Sequence, residues 1–281
     1  MSDIRLYIDC GITHNKQIVL KEYHAHYLCN VMRCKKGEQI RIFNAIDLEW
    51  IAAIDSVISG RHVTLLVVDK YPALPPPTQP HYILQKQFTP VVTLVFAPIK
   101  AFTPSLIAQK ATELGIDAVF PIITERTIIT KVRHDKLLSS VIEGIEQCGR
   151  LAIPQIYLCT SFKNFCTFLC NQISECTKDT IDIVLFFHGT HNKSETIVSP
   201  AQLPQTIAKS VLPYNGVMEG VHKVNYIIII GPEGGFTEKE VGMITAINTP
   251  VIIVTLGNLT LRAETATIAA ISSVKAVLNL Y

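Results

Sequence analysis

Four short, predominantly apolar runs constrain the fold of this chain more than any other feature. They are Val91–Pro98, Ile181–Phe187, Tyr226–Ile230 and Val251–Leu256. Each run has the length of one β-strand, and strands buried on both faces read as continuous apolar runs. None approaches the roughly 20 residues that cross a bilayer, although the mean hydropathy is +0.32. We therefore expect buried parallel strands and no membrane span.

Helical patterns separate these runs. Helices are predicted over 104–114, 135–148, 162–176 and 263–278, and further strands over 117–122 and 156–158. Thr237 with Glu240 three residues later forms a capping box, which predicts the start of another helix. Strands that alternate with helices indicate a parallel sheet covered on both faces, the α/β class. Residues 189–225 are polar and lack a strong period, so we expect a long loop there.

Five prolines within residues 71–80 predict a boundary between domains. Proline cannot continue a helix or a central strand, and it favours stiff, extended chain. The residues before this boundary carry short strand-like pieces at 5–8, 39–43, 50–54 and 63–68, with one short helix over 24–33. Several short strands in so few residues suggest a small β-barrel. We predict a barrel domain over 1–72, a linker over 73–80 and the α/β domain over 81–281.

Composition narrows the class of protein. A chain of 281 residues with 48% hydrophobic and 17% charged residues is not globally disordered. Its net charge of +2 permits a nucleic acid partner without arguing for one. The first residues lack a secretion signal, so we expect a cytoplasmic protein. The eight cysteines contain no C-x-x-C pair, and we expect buried, reduced thiols rather than disulfides or a metal site.

Two glycine-containing segments follow predicted strands and precede predicted helices. Residues 231–235 read GPEGG, and residues 256–267 read LGNLTLRAETAT. Glycines at the carboxyl end of a parallel strand let a ligand approach the backbone, and the next helix presents free N–H groups. A tight structural turn explains the first segment equally well. An exposed salt bridge between Arg262 and Glu264 is the alternative for the second.

Two polar segments are less distinctive. In residues 109–115, Lys110 and Glu113 lie one helical turn apart and can pair, while Gly115 fits a helix end. In residues 143–150, Arg150 is suited to contact a phosphate or a carboxylate. A solvated helix surface explains either segment taken alone.

Taken together and in this order, the segments resemble the RsmE-type family of 16S ribosomal RNA uridine-N3 methyltransferases, within the SPOUT (trefoil-knot) superfamily. The resemblance is carried by Arg5 and by residues 31–33, 37–38, 109–115, 124–126, 146–150, 231–235 and 256–266. No single motif decides it, but their joint order and spacing over nearly the whole chain are very specific.

The resemblance implies a C-terminal SPOUT domain with a deep trefoil knot, an N-terminal PUA-like β-barrel that binds RNA, and a homodimer. It implies S-adenosylmethionine (SAM) as the methyl donor, S-adenosylhomocysteine as the product and no metal. The partner is small-subunit ribosomal RNA, naked or in the assembled subunit. The residues it assigns to the cofactor pocket are His188, Gly189, Ile230, Gly231, Pro232, Glu233, Gly234, Gly235, Leu256, Gly257, Leu261 and Thr265.

The chemistry of the implied reaction selects catalytic candidates. Neutral uracil N3 carries a proton and has no available lone pair, so the enzyme must help it to lose that proton. The developing negative charge then needs a cation or N–H donors. Arg262 is the first candidate for this cation and Arg150 the second. Glu264 either orients Arg262 or acts as the base, and the sequence leaves both roles open.

Contact with RNA is expected from basic residues, namely Arg5, Arg33, Lys35, Lys36 and Arg126. Three features depart from the family pattern. Residues 101–105 lack the extra basic residue that relatives commonly carry, residues 257–260 read GNLT where many relatives have a proline or an arginine, and the 189–225 segment is longer than expected. The alternatives are the same fold acting on another RNA nucleoside, a non-catalytic RNA-binding or ribosome-assembly protein, and a nucleotide-binding α/β enzyme.

Overall fold

A computed structural model describes residues 4–58, 61–72, 91–99, 103–129, 131–175, 180–188, 197–215, 223–259 and 261–279. The chain divides into two compact units. The first takes Met1–Gln79 together with Ile142–Ile153, and the second takes Pro80–Val141 together with Pro154–Tyr281. Residues 142–153, which the sequence analysis assigned to the α/β domain, are therefore grouped with the first unit. The predicted linker over 73–80 lies outside the described residues.

The first unit contains a five-stranded sheet with the strand order β1-β3-β4-β5-β2. Its strands are β1 (Arg5–Tyr7), β2 (Gln17–Val19), β3 (Gln39–Asn44), β4 (Leu48–Ile58) and β5 (His62–Lys70). Among the described strands of this unit, β1 and β3 pair in parallel and the other pairs are antiparallel. Four of these strands confirm the sequence prediction, and β2 was missed. The predicted helix over 24–33 is a short α-helix, α1 (Glu22–His26), followed by a π-helical turn (Tyr27–Val31).

Arg5 is a buried structural residue of this unit. Its guanidinium donates to the carbonyls of Ile145 at 2.6 Å and Arg150 at 2.9 Å and to the Glu49 carboxylate at 3.1 Å. Ile145 lies in the last turn of α3 (His134–Cys148), whose carbonyls lack helical partners, and Arg150 lies two residues beyond the end of that helix. Burial lowers the pKa of Arg5, and the neighbouring Glu49 opposes that shift. The expectation that Arg5 binds RNA is corrected, since its side chain is 4% exposed.

Glu146 makes a second attachment at the same helix end. Its carboxylate accepts a hydrogen bond from the Tyr7 backbone N–H at 2.9 Å and lies 3.5 Å from Nε2 of the buried His24. The polar 143–150 segment thus joins this helix end to β1 and α1 within the first unit. At least two of its polar groups, the Glu146 carboxylate and the Arg150 carbonyl, serve the fold.

The second unit is built on a seven-stranded parallel sheet, which confirms the predicted α/β class. Six strands run in the order β12-β10-β11-β6-β7-β8, and β9 also pairs with β7. The strands are β6 (Val92–Phe96), β7 (Ala118–Ile123), β8 (Gln155–Ile156), β9 (Thr160–Ser161), β10 (Thr180–Phe187), β11 (Lys223–Ile230) and β12 (Val251–Val254). All register pairs between them are parallel.

Helices bury the sheet from both faces, as the continuous apolar runs predict. The helices of this unit are α2 (Thr103–Glu113), α4 (Phe162–Glu175), α5 (Leu203–Asn215), α6 (Glu238–Thr245) and α7 (Ala263–Val277), together with the N-terminal part of α3. Ile227 and Ile229 of β11 join one core cluster with residues of α4 and α6. Alternate residues of a strand point to the opposite face, and α7 contacts β11 as well. No helix in the described ranges is long and apolar enough to cross a membrane.

The expectation of a long loop over 189–225 is wrong. A 3₁₀ turn (Pro200–Gln202) leads into α5, and β11 begins at Lys223. Ser199 opens this helix, because its backbone N–H donates to the Gln202 side chain at 3.0 Å. Leu203 and Ile207, one turn apart, are buried. Pro200 and Pro204 concealed the helix in the sequence, although proline is well tolerated in a first helical turn.

The cysteines are less buried than expected. Cys10, Cys148 and Cys170 are exposed, and Cys166 is buried. Burial raises the pKa of the Cys166 thiol to about 12, which keeps it protonated and unreactive at neutral pH. The expectation of buried thiols therefore holds for Cys166 and fails for the three exposed residues.

Replacing Arg5 with methionine should destabilise the first unit. Arg5→Met keeps an apolar side chain over the sheet but leaves the carbonyls of Ile145 and Arg150 without their donor. Glu49 loses Arg5 and retains Arg41 at 3.4 Å. The expected cost is about 2–4 kcal/mol. Trp50, the single tryptophan of the chain, is buried in β4 and reports this unit by fluorescence during urea unfolding. The control Arg61→Met removes a side chain that is 75% exposed, and its effect should stay within about 0.5 kcal/mol. Equal losses for the two variants would contradict the assigned role of Arg5.

Candidate functional site

The candidate site lies where three neighbouring parallel strands end. Phe187 of β10 pairs in register with Ile230 of β11 on one side and with Val254 of β12 on the other. The three segments that follow these strands therefore leave the sheet at one level. In open α/β sheets, this carboxyl edge is where ligands bind.

A cavity of about 350 Å³ opens between these segments. Its lining includes ten of the twelve predicted pocket residues, namely His188, Ile230, Gly231, Pro232, Glu233, Gly234, Gly235, Leu256, Gly257 and Leu261. Thr265 is exposed on α7 and does not belong to the lining. Gly189 lies outside the described residues. The two glycine-containing segments that the sequence analysis singled out thus form one cavity.

Gly231 is required by packing. A Cβ at this position would lie 2.6 Å from the ring of Phe236, closer than real Cβ contacts come. Phe236 is itself buried, with its ring 4.6 Å from that of Phe186 and 5.4 Å from that of Phe162. The glycine therefore lets the segment 231–235, called here the GPEGG loop, fold back over its own aromatic anchor.

Backbone conformation requires two other glycines of the cavity wall. Gly235 has φ +68° and Gly257 has φ +108°, which side chains rarely adopt. The Gly235 N–H donates to the Pro232 carbonyl at 2.8 Å, closing the GPEGG loop as a tight turn. The loop leads directly into α6, whose predicted capping box is confirmed. Thr237 Oγ1 accepts from the Glu240 N–H at 3.3 Å, and the Glu240 carboxylate accepts from the Thr237 N–H at 2.9 Å.

His188 forms the side of the cavity next to β10. It is half-buried, and its ring centroid lies 5.7 Å from that of Phe186 and 6.2 Å from that of Phe236. It lies near Gly235 as well, because a Cβ there would approach the imidazole to 4.0 Å. The aromatic residues beneath the cavity therefore fix the position of this ring.

The two charged residues before and within the first turn of α7 are separate from each other. Arg262 is exposed and is the N-cap residue, and its carbonyl accepts from the Ala266 N–H at 2.8 Å. Glu264 is half-buried. Among the described residues the two side chains form no ion pair, so the salt bridge given as the alternative explanation of this segment is absent there. Both flank residues of the lining, Leu261 and Ala263.

Several other residues that the sequence analysis named do not belong to the cavity lining. Lys110 and Glu113 form the predicted ion pair at 2.8 Å, and Gly115 ends α2 with φ +78°. Arg150 belongs to the first unit, and its carbonyl accepts from Arg5.

Eight lining residues were not predicted, namely Phe187, Phe236, Val254, Thr255, Asn258, Leu259, Ala263 and Ala266. Each lies within two residues of a predicted pocket position, and that proximity in sequence is the signal that could have found them.

Comparison with known proteins identifies the family. A family model described as the RNA methyltransferase domain matches residues 86–275. The chain belongs to this RNA methyltransferase family. A second model, the RNA methyltransferase PUA domain, matches residues 24–68. The cavity of this RNA methyltransferase lies entirely within the range that the first model covers.

Relatives extend over almost the whole chain. Ribosomal RNA small subunit methyltransferase E of Rickettsia conorii is 28% identical over 96% of this chain and 94% of its own length. The protein of that name from Bacillus subtilis is 23% identical over 89% of this chain and 86% of its own. The predicted resemblance is confirmed by these matches.

Solved structures share the fold. A Legionella pneumophila protein assigned as a methyltransferase, in complex with the cofactor SAM, matches with a TM-score of 0.70 and 23% identity over 98% of both chains. Ribosomal RNA small subunit methyltransferase E of Neisseria gonorrhoeae, bound to S-adenosyl methionine, matches with a TM-score of 0.66 and 20% identity over 98% of this chain and 97% of that chain.

Two glycine-to-alanine changes should shift stability in opposite directions. Gly231→Ala drives a methyl group into the Phe236 ring and should lower the free energy of unfolding by about 1–3 kcal/mol. Gly242→Ala, in the exposed middle of α6 with no atom within 4 Å of the new Cβ, should raise it by about 0.5–1 kcal/mol. Thermal unfolding followed by circular dichroism measures both. A neutral Gly231→Ala would show that the Phe236 ring can move away without cost.

Proposed function

We propose that this RNA methyltransferase transfers a methyl group from SAM to N3 of a uridine in 16S ribosomal RNA. The single observation that carries the proposal is the glycine-walled cavity at the ends of β10, β11 and β12. It lies within the matched RNA methyltransferase domain. The target is proposed from the names of relatives that extend over almost the whole chain, together with the motifs of the uridine-N3 family.

The chemistry of the cavity suits SAM. Its volume of about 350 Å³ lies within the range of small-molecule sites, about 300–1,000 Å³. Apolar side chains of Ile230, Leu256 and Leu261 line it, which suits an adenine ring. The GPEGG loop and Gly257 present main-chain N–H and C=O groups for the hydroxyls of the ribose and the charged amino acid end. Bound SAM supplies a methyl group on a cationic sulfur, which is already an activated electrophile.

Residues before and within the first turn of α7 act on the base in this proposal. Arg262 is exposed and lies between two lining residues, where its guanidinium can donate to O2 or O4 of the uracil as N3 loses its proton. Glu264 either holds Arg262 in place or takes the N3 proton, and the two roles differ in their response to pH. Arg150 is the second candidate cation, supplied by the other subunit of a homodimer.

Binding of the RNA is proposed for the first unit. Arg33, Lys35 and Lys36 are all exposed, and they lie within the range that the PUA domain model matches. Phosphate contacts of this kind position an RNA without reading its sequence. The target uridine must also leave its stack for N3 to reach the methyl group.

Three structural features and a location complete the proposal. The second unit contains a deep trefoil knot, the first unit closes as a PUA-like barrel, and the enzyme is a homodimer that works in the cytoplasm. The parallel strand order and the family similarity support the knot, and the match to the PUA domain model supports the barrel. Sedimentation equilibrium tests the third, and a monomer at micromolar concentration would contradict it.

Methyl transfer tests the function directly. The protein is incubated with labelled SAM and small ribosomal subunits from a strain that lacks the modification, and the digested nucleosides are separated. Label is expected in 3-methyluridine. Label in another nucleoside would overturn the target base, and failure of the wild-type protein to bind SAM by calorimetry would overturn the enzyme assignment.

Substitutions at Arg262 and Glu264 assign the chemistry. Arg262→Ala should lower kcat by about 100- to 1,000-fold, as expected for loss of a charge that acts in the transition state, while the Kd for SAM changes less than about twofold. Arg61→Ala, a change at an exposed arginine of the first unit, should leave kcat unaltered. If Glu264 is the base, Glu264→Gln abolishes the rise of kcat with pH; if it orients Arg262, the rise persists. An Arg262→Ala variant with normal kcat would remove Arg262 from the mechanism.

A further inference from the structure

The turn that follows β7, residues 124–127, is closed by hydrogen bonds and contacts the GPEGG loop. Its threonines bond each other, since Thr124 Oγ1 and Thr127 Oγ1 are 2.7 Å apart and the Thr124 N–H donates to Thr127 Oγ1 at 3.0 Å. Thr124 is buried. Glu125 and Arg126 lie between these two bonded threonines, so the turn restricts the conformation of their backbone.

Arg126 makes the direct tie to the loop. Its Nη1 donates to the Gly234 carbonyl at 2.6 Å. The stem of the same side chain lies against Gly234, because a Cβ there would come within 3.3 Å of both Cβ and Cδ of Arg126. At Gly234, therefore, the Arg126 side chain both packs on the loop backbone and donates a hydrogen bond to it.

A buried carboxylate makes the second tie. Glu240 is 2% exposed, and one of its oxygens accepts from the Thr237 N–H in the capping box. The other oxygen accepts from the Glu125 N–H at 2.8 Å. An ion pair between Lys239 and Glu125 at 3.6 Å reinforces this link on the surface. The start of α6 and the end of the GPEGG loop are therefore both fastened to the same turn.

We propose that Arg126 is a positioning residue for the methyl donor, acting through the Gly234 carbonyl. The inference rests on the proposed function of the cavity. With Arg126 in place, the GPEGG loop is preorganised, so that SAM binding does not have to order it. Arg126 was expected from the sequence to contact RNA. A positioning role can be distinguished from RNA contact by measurement, because it affects the GPEGG loop even in the protein without RNA or SAM.

The decisive comparison is among Arg126→Met, Arg126→Lys and Arg133→Met. Methionine keeps much of the stem packing and removes the hydrogen bond, while lysine retains one donor. Arg133 is an exposed arginine whose described partner is Asp135, so Arg133→Met is the matched control. Deuterium exchange of the amides in residues 231–237 is followed by mass spectrometry in the ligand-free proteins.

Arg126→Met should speed this exchange by about three- to tenfold, the change expected for loss of one hydrogen bond. It should weaken the Kd for SAM, measured without RNA, by a similar factor. Arg126→Lys should recover part of both effects, and Arg133→Met should change neither. Unfolding temperatures of all three confirm that they fold, and if Arg126→Met unfolds, Arg126→Lys carries the test.

The outcomes separate this inference from the proposed function. Unchanged exchange and unchanged SAM affinity in Arg126→Met would overturn it, and a loss confined to RNA binding would reassign Arg126 to the RNA interface. If the wild-type protein fails to bind SAM, the proposed function falls, and with it the assignment to the methyl donor. Faster exchange in Arg126→Met would still establish the tie to the loop.

Discussion

The parallel pairing of β10 with β11 and β12 is the constraint on which the site depends. Because Phe187, Ile230 and Val254 share one register, the chain must leave the sheet three times at the same edge. The three segments that follow these strands lie close together and leave little room for side chains. Gly231 and Gly235 lie in the segment after β11, and Gly257 lies in the segment after β12. The cavity is therefore a consequence of sheet register, and its main-chain walls follow from the glycines that the exits need.

Buried polar groups then fix what the register brings together. Glu240 and Arg5 are charged side chains removed from water in different units, and each is bonded to backbone groups that no regular ladder satisfies. Burying a charge is unfavourable unless hydrogen bonds compensate for it. This requirement makes the local structure specific, because only one arrangement of the loop or helix end supplies the hydrogen-bond partners that each buried charge needs. Apolar packing alone would tolerate several arrangements of these segments.

Local patterns predicted the elements, and non-local contacts explain the errors. Apolar runs and helical periods located β6, β10, β11, β12, α3, α4 and α7 within a few residues, and the Thr237–Glu240 spacing gave the start of α6. The glycines next to the predicted strand ends pointed to a ligand site in residues 231–235 and 256–257, and the resemblance to the uridine-N3 family assigned the ten lining residues, His188 among them. Arg5 was misassigned because burial by a helix 140 residues away leaves no local sign. The α5 helix was missed because prolines at its start resemble a loop.

The same distinction explains why Arg126 appeared at first to be an RNA ligand. An arginine after a buried strand reads as an exposed cation, and Arg126 is indeed exposed. An exposed residue can still have individual atoms in contact with the protein. In Arg126, Nη1 donates to the Gly234 carbonyl, and the aliphatic part of the side chain packs on the Gly234 backbone. A bonded Nη1 still leaves the other donors of the guanidinium for a phosphate. Loop positioning and RNA contact are therefore compatible in one side chain, and only a measurement on the ligand-free protein isolates the first.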